Sequence, residues 1–243
     1  MQQLLKPLKT DSLKDVFVQR FEELILSGAL SIGQKLPPER ELALMLGVSR
    51  PVVHEGLVDL ENKGLVTMKP RVGTVVNDYR REGSLSLLNS LVSYNRGRLE
   101  PAILDSLLEI RILIELETAK LAAEKCGDGE MKELHELLDE ETDADRRDIG
   151  RIVELDFRFH LLVAIASGNI LYPLLLNSFR EVYTNLTRQF FEDDSVVDLV
   201  FRSHRELYGA IRDRNARKAV AVMKKIIGHG ERHLRAMVED SSE

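Results

Sequence analysis

The chain has 243 residues, 44% of them hydrophobic and 30% charged, with a single cysteine. That length and composition suit one large or two ordinary globular domains; they exclude an internal disulfide framework and a cysteine-rich zinc site, and no apolar run approaches the roughly 20 residues of a membrane span. The formal net charge is −6, yet residues 1–80 carry 11 Lys and Arg against 10 Asp and Glu, while the remainder carries 23 against 30.

A nucleic-acid footprint therefore has to be a local basic edge of the front third, with an acidic rear body turned away from it. The opening segment has no apolar signal region, so a cytoplasmic protein is expected. Cys126 sits in an apolar helical pattern and reads as a small buried hydrophobe.

Apolar spacing predicts a first helix over 11–28, with Leu13, Val16, Phe17, Phe21, Leu24 and Ile25 on one stripe. Pro37 and Pro38 open a second helix, Gly47 breaks it, and Ser49 is placed to cap a third that runs to about Lys63 and Gly64. Leu42, Leu46, Val48, Val53, Leu57 and Leu60 read as core. Two short β runs, 65–68 and 74–76, flank a turn over 69–73. Three helices and a hairpin make a winged helix-turn-helix spanning residues 1–77.

Residues 78–84, polar and turn-rich, read as a linker. Beyond it no strand is expected. Helices are predicted near 85–95, 101–126, 129–143, 149–167, 169–191, 194–213 and 215–238, which makes residues 85–243 an all-α seven-helix bundle. The fold class is thus mainly α, with a small β-hairpin wing in the N-terminal domain.

Candidate DNA contacts follow from this layout. Arg40 falls in the first turn of the second helix and Arg50 at the start of the third, whose N-terminal N–H groups and dipole suit a phosphate. Arg50 is placed to donate two hydrogen bonds to guanine, with His54 one turn further on. Lys69 and Arg71 flank a wing tip suited to a minor groove. Each such residue alone is as compatible with a solvated surface; the ordered set of arginines, cap, glycine turn and basic wing carries the reading.

The run GQKLPPERELALMLGVSRPVVHEGLVDLENKGLV, followed by the VGTVV wing, resembles the DNA-binding domain of GntR-type bacterial transcriptional regulators. The resemblance covers about residues 11–77 and implies DNA contacts at Arg40, Ser49, Arg50 and the wing around Gly73. This chain departs from the family at His54, where arginine is common.

In the rear half, Asp156 and His160 are four apart on one helix, as a metal-binding pair requires, although a hydrogen-bonded polar pair fits the spacing equally. His204 on another helix is a third candidate ligand and His229 a fourth; such a set suits zinc, nickel or manganese and an effector carboxylate. Residues 85–238 resemble the helical effector domain of the FadR subfamily, through EIRILIELETAKLA, DFRFHLLVAIASGN and SHRELYGAIRDRNARKAVAVM. The resemblance implies a divalent metal at Asp156, His160 and His204. Its fourth position falls on Ile226, with His229 one turn later.

A second effector reading stays open, because ASGNILYPLLLNSFREVYTNLTRQFF resembles the fatty-acid-responsive members of that subfamily, implying a metal-independent long-chain acyl-CoA ligand. Arg111, set among apolar neighbours, is a candidate carboxylate or phosphate partner, or else the partner of Glu109 or Glu115. Tyr183, Asn185 and Arg188 are placed to line the same cavity. The expectation is a homodimeric, ligand-responsive regulator, a repressor that releases a palindromic double-stranded operator when a small organic acid binds. A metal-dependent enzyme fused to a DNA anchor lacks a convincing acid–base pair, and a sequence-neutral architectural protein suits the near-neutral front poorly.

Overall fold

The computed structural model describes residues 12–94 and 101–240. They form two compact units divided between Arg96 and Gly97.

In the first unit, α1 (Leu13–Leu26) starts at a capping box in which Ser12 and Asp15 satisfy each other's backbone N–H groups. Its inward face is Phe17, Val18, Phe21 and Ile25; Leu13 and Val16, expected on that stripe, are exposed. The stripe is rotated because α1 packs Phe17 onto α3 (Arg50–Asn62) at Gly56. A Cβ on Gly56 would lie 2.3 Å from the Phe17 ring, so the glycine, unfavourable inside a helix by roughly 1 kcal/mol, permits the contact.

Helix α2 (Glu39–Leu46) ends at Gly47, whose φ of +66° makes the tight turn into α3. Leu42, Val53, Leu57 and Leu60 are core as expected and Val48 packs against them, but Leu46 is 46% exposed. Strands β1 (Val66–Lys69) and β2 (Gly73–Val76) pair antiparallel, Val66 opposite Val76 and Lys69 opposite Gly73. Residues 33–36 add to the free edge of β2 through Leu36 N–H to the Thr74 carbonyl and Val76 N–H to the Gln34 carbonyl, both 2.9 Å.

The segment 78–84, expected to be a linker, is part of this unit. The Asn77 amide donates to the Gly64 carbonyl, the Ser84 hydroxyl to that of Asn62, and 79–82 form a single turn, α4 (Tyr79–Glu82). Helix α5 (Leu87–Tyr94), expected to open the bundle, also belongs here. Leu87 enters the first core, and Ser90 donates to the buried Glu22 carboxylate at 2.7 Å, which the Lys63 ammonium also holds.

The second unit comprises α6 (Pro101–Lys125), α7 (Asp128–Asp143), α8 (Ile149–Ala166), α9 (Leu171–Ser178), α10 (Arg180–Phe190), α11 (Asp194–Arg212) and α12 (Ala216–Asp240). Among the described residues it holds seven helices and no strand. The number seven arises differently from the expectation, since α5 lies elsewhere and the single helix predicted over 169–191 is two, broken at Phe179. Helix α8 runs through the centre, against α6, α7, α9 and α10. Phe157, Phe159, Leu155 and Ile152 on α8 are fully buried, as are Phe191, Phe201 and Leu207 from the surrounding helices. Cys126 is buried, as expected. Among the described residues, no helix is long and apolar enough to cross a membrane.

Candidate DNA-reading surface and candidate metal centre

On the first unit, the Glu39 carboxylate at the start of α2 reaches across to α3. One oxygen accepts from Arg50 Nε at 3.1 Å and the other contacts His54 Nδ1 at 2.8 Å. These two partners hold the Glu39 carboxyl below its ordinary value, the His54 hydrogen bond most and Arg50 next, against a partial burial that raises it. Arg50 and His54 keep 71% and 57% of their side-chain surface exposed. Ser49 occupies the N-cap position of α3, but its side chain makes no capping bond. Pro51 removes one of the two N–H groups that a capping oxygen would meet; that of Val52 remains.

Arg40 is exposed. At the wing, Lys69 ends β1, Arg71 adopts a left-handed φ of +64°, and Gly73 opens β2 at φ +105°. All three are exposed.

In the second unit, Asp156 and His160 of α8 meet His204 of α11. One ligand-type atom from each lies within 4.8 Å of the other two, and all three residues are buried. Each imidazole sets Nδ1 against a buried carboxylate: His204 bonds Glu141 of α7 at 2.7 Å, whereas His160 Nδ1 lies 2.5 Å from Glu115 of α6 without hydrogen-bond geometry. Their Nε2 atoms are buried without a hydrogen-bond partner, and His204 Nε2 lies 3.6 Å from Asp156 Oδ1. The other Asp156 oxygen accepts from the Tyr183 hydroxyl at 2.8 Å, which itself accepts from Arg111 Nη2 at 3.1 Å. Arg111 Nε donates to Glu115 at 2.6 Å.

One guanidinium stands here against the carboxylates of Glu115, Glu141 and Asp156. With both imidazoles neutral the cluster carries a formal −2. Burial pushes the Glu115 carboxyl up, but Arg111 and His160 outweigh it and hold it at about 2. Burial likewise lowers His160, yet Glu115 and then Asp156 raise it above its ordinary value: the carboxylates draw positive charge towards that ring. Burial raises the Tyr183 hydroxyl well above its ordinary value, with Asp156 adding to the effect and Arg111 opposing it, so it is a neutral donor.

Two imidazoles set against carboxylates through Nδ1, with unpartnered Nε2 atoms and the Asp156 carboxylate close by, form a donor set of the kind that suits a divalent cation. A small cavity adjoins it, lined also by Thr187, Phe190, Val200 and Ile226.

The gntR family of bacterial regulatory proteins matches residues 13–76, and the FCD domain matches residues 106–229, half of the chain. A relative from Bacillus subtilis, the uncharacterized HTH-type transcriptional regulator YcbG, is 31% identical over 88% of this chain and 89% of its own. The chain belongs to the gntR family. This gntR protein is a ligand-responsive transcriptional regulator, not an enzyme, with a DNA-binding first unit and an effector-binding second one. It is also similar to the fatty acid metabolism regulator protein of Proteus mirabilis, 29% identical over 76% of this chain and 75% of that one. Among solved structures it resembles Streptococcus agalactiae GntR, 26% identical, with a TM-score of 0.51 over 90% of this chain and 99% of that one.

Of the ligands expected in this gntR chain, Asp156, His160 and His204 come together and His229 does not join them. Three residues past Ile226, it is turned about 60° around α12 from that position. Its ring meets Phe190 edge-on at 5.7 Å and lines a neighbouring cavity with Lys225 and Arg232. Ile226 itself faces the cluster's cavity. Arg111 and Tyr183 border the cluster, whereas Asn185 and Arg188 are exposed on α10 and line neither the cavity beside the cluster nor the apolar cleft between α6, α9 and α10. Of the carboxylates that orient the ligands, Glu115 was visible four residues from Arg111, but only as its salt-bridge partner. Glu141 carried no signal, being one acid among many on α7.

Proposed function

We propose that this regulator is a cytoplasmic homodimeric repressor whose second unit binds a small carboxylate metabolite at a divalent metal held by Asp156, His160 and His204. The observation that carries the reading is the pair of buried imidazoles with unpartnered Nε2 atoms, gathered with Asp156 in a cluster of formal charge −2. Zinc, nickel or manganese suits two imidazoles and a carboxylate. When bound, such a cation supplies a Lewis-acidic position for an effector's carboxylate. Glu115 and Glu141 orient the imidazoles, and Tyr183 fixes the Asp156 carboxylate by donating to its other oxygen. Arg111, on the cavity wall, offers a further hydrogen-bond donor to an anion.

Dimerisation through the second unit is supported by an apolar face. Ile110 and Leu113 of α6, Ile165 of α8, and Ile170, Leu171 and Leu174 around α9 are all exposed. These helices share a small core of Ile114, Ala164 and Leu176, so the residues border one patch. Two copies bring two winged units to a palindromic operator, read by Arg40, Ser49, Arg50 and His54, with Lys69, Arg71 and Gly73 at the wing. Effector binding then shifts the operator equilibrium by no more than its differential affinity for the two states.

A second reading rests on the open cleft between α6, α9 and α10, lined by apolar side chains with Arg111, Glu115 and Tyr183 at its polar end. It suits an acyl chain with an anionic head, as in an acyl-CoA. Native mass spectrometry of the gently purified protein separates the two. One metal per chain in a dimer supports the first; a metal-free dimer carrying acyl-CoA mass supports the second.

A further inference from the structure

The contact of Glu39 with His54 fixes more than a side-chain position. Neutral imidazole carries one N–H and one bare nitrogen. A carboxylate accepts only, so in the neutral ring Nδ1, 2.8 Å from Glu39 Oε1, is the protonated nitrogen and Nε2 is bare. The ring is 57% exposed and Nε2 has no protein partner, so it meets whatever lies against α3 as a hydrogen-bond acceptor.

Arg50 is organised by the same carboxylate. Its Nε is taken by Glu39, which leaves both terminal nitrogens of the fork free, again as donors. The two residues lie four apart on α3, one turn and about 6 Å along its axis, which spans about two base steps.

We infer that His54 reads an exocyclic amine, of adenine or cytosine, through an Nε2 kept as an acceptor by Glu39, beside a guanine read by the Arg50 fork. The major groove offers two kinds of hydrogen-bonding edge: acceptors at guanine N7 and O6, adenine N7 and thymine O4, and donors only at the amines of adenine and cytosine. Arg50 can use only the first kind, and His54 in this tautomer only the second. Glu39 is thus a positioning residue that assigns opposite polarities to two neighbouring readers. The inference rests on the reading of α3 as the helix that enters the groove.

The test uses the full chain. Selection from a random-sequence DNA pool, with wild type and His54→Ala, first locates the base pair whose preference depends on His54. At that pair, the adenine or cytosine is replaced by an analogue with hydrogen in place of the exocyclic amine and, separately, the purine by its 7-deaza analogue. Loss of the amine is expected to weaken wild-type binding about 2- to 10-fold and to leave His54→Ala unchanged, and the 7-deaza change to weaken neither. Glu39→Gln, whose amide can accept from or donate to Nδ1, is expected to blur preference at the His54 pair and retain guanine at the Arg50 pair.

A 7-deaza sensitivity that vanishes in His54→Ala would make Nε2 a donor and overturn the inference. So would an identical selected sequence for wild type and His54→Ala. A wild-type pool with no enriched sequence would instead overturn the DNA-reading assignment of α3.

Discussion

Glu141→Gln separates a metal-orienting carboxylate from an ordinary buried ion pair, because the two roles predict opposite changes. Glu141 is fully buried and bonds His204 Nδ1 at 2.7 Å, leaving Nε2 aimed at Asp156. If Glu141 serves to orient a neutral imidazole, glutamine keeps the shape and removes one of the three carboxylates. The formal −2 of the metal-free cluster falls to −1, so the metal-free variant is as stable as the wild type or more so. Its affinity for zinc drops about 10- to 100-fold, the usual cost of losing such a partner.

Zinc at about 100 times the wild-type Kd stabilises the wild type by about 2.7 kcal/mol. At the same concentration the variant gains only about 0.4–1.4 kcal/mol by the same relation. Calorimetric zinc titration and thermal melts of chelated and zinc-loaded protein measure both quantities. If Glu141 were merely the counter-ion of a protonated His204, glutamine would break a buried pair. The chelated protein would then lose about 3–5 kcal/mol, with no zinc-dependent difference. That outcome would refute the metal reading of the cluster.

Three other substitutions test separate parts of the molecule. Gly64→Ala places a Cβ about 2.0 Å from the Glu82 carbonyl oxygen at a φ of +77°, so it should strain the docked 78–84 segment and cost about 1–3 kcal/mol in denaturant melts; an unchanged midpoint would contradict the observed packing. Arg50→Ala should weaken operator binding by about 1–3 kcal/mol and blur one base position per half-site, and undiminished discrimination in a selection assay would remove Arg50 from the readout. Leu113→Glu paired with Leu174→Glu should convert a dimer to monomers in sedimentation velocity with circular dichroism unchanged, whereas a persisting dimer would move the interface elsewhere.

The winged unit was legible because its boundaries are written in turn chemistry. Gly47 supplies the left-handed turn that any reading of the sequence assigns it, and the hairpin alternates burial about a short turn. The 78–84 segment was misread because, beside the single packed ring of Tyr79, it docks through polar groups, such as the Ser84 hydroxyl to the Asn62 carbonyl and the Ser84 N–H to that of Lys63, which leave no hydrophobic period. The break at Phe179 has no glycine or proline to announce it. It arises where α9 ends and Phe179 turns to line the apolar cleft. Asp156 and His160 were found by their four-residue spacing, and His204 by its place on another amphipathic helix, which the resemblance then singled out. Glu141 contacts His204 from 63 positions away, a pairing that periodicity cannot see.

The tip of the wing shows a preference of a different kind. Arg71 holds a φ of +64°, a region that glycine enters freely and that disfavours an L-arginine by about 1 kcal/mol or more. The residue is exposed and lies in no core cluster, so packing does not explain its presence. A glycine there would relieve the strain and remove the charge together. Selection on melting temperature alone would therefore drift towards Arg71→Gly, and the arginine marks a place where this sequence has been held away from its most stable version.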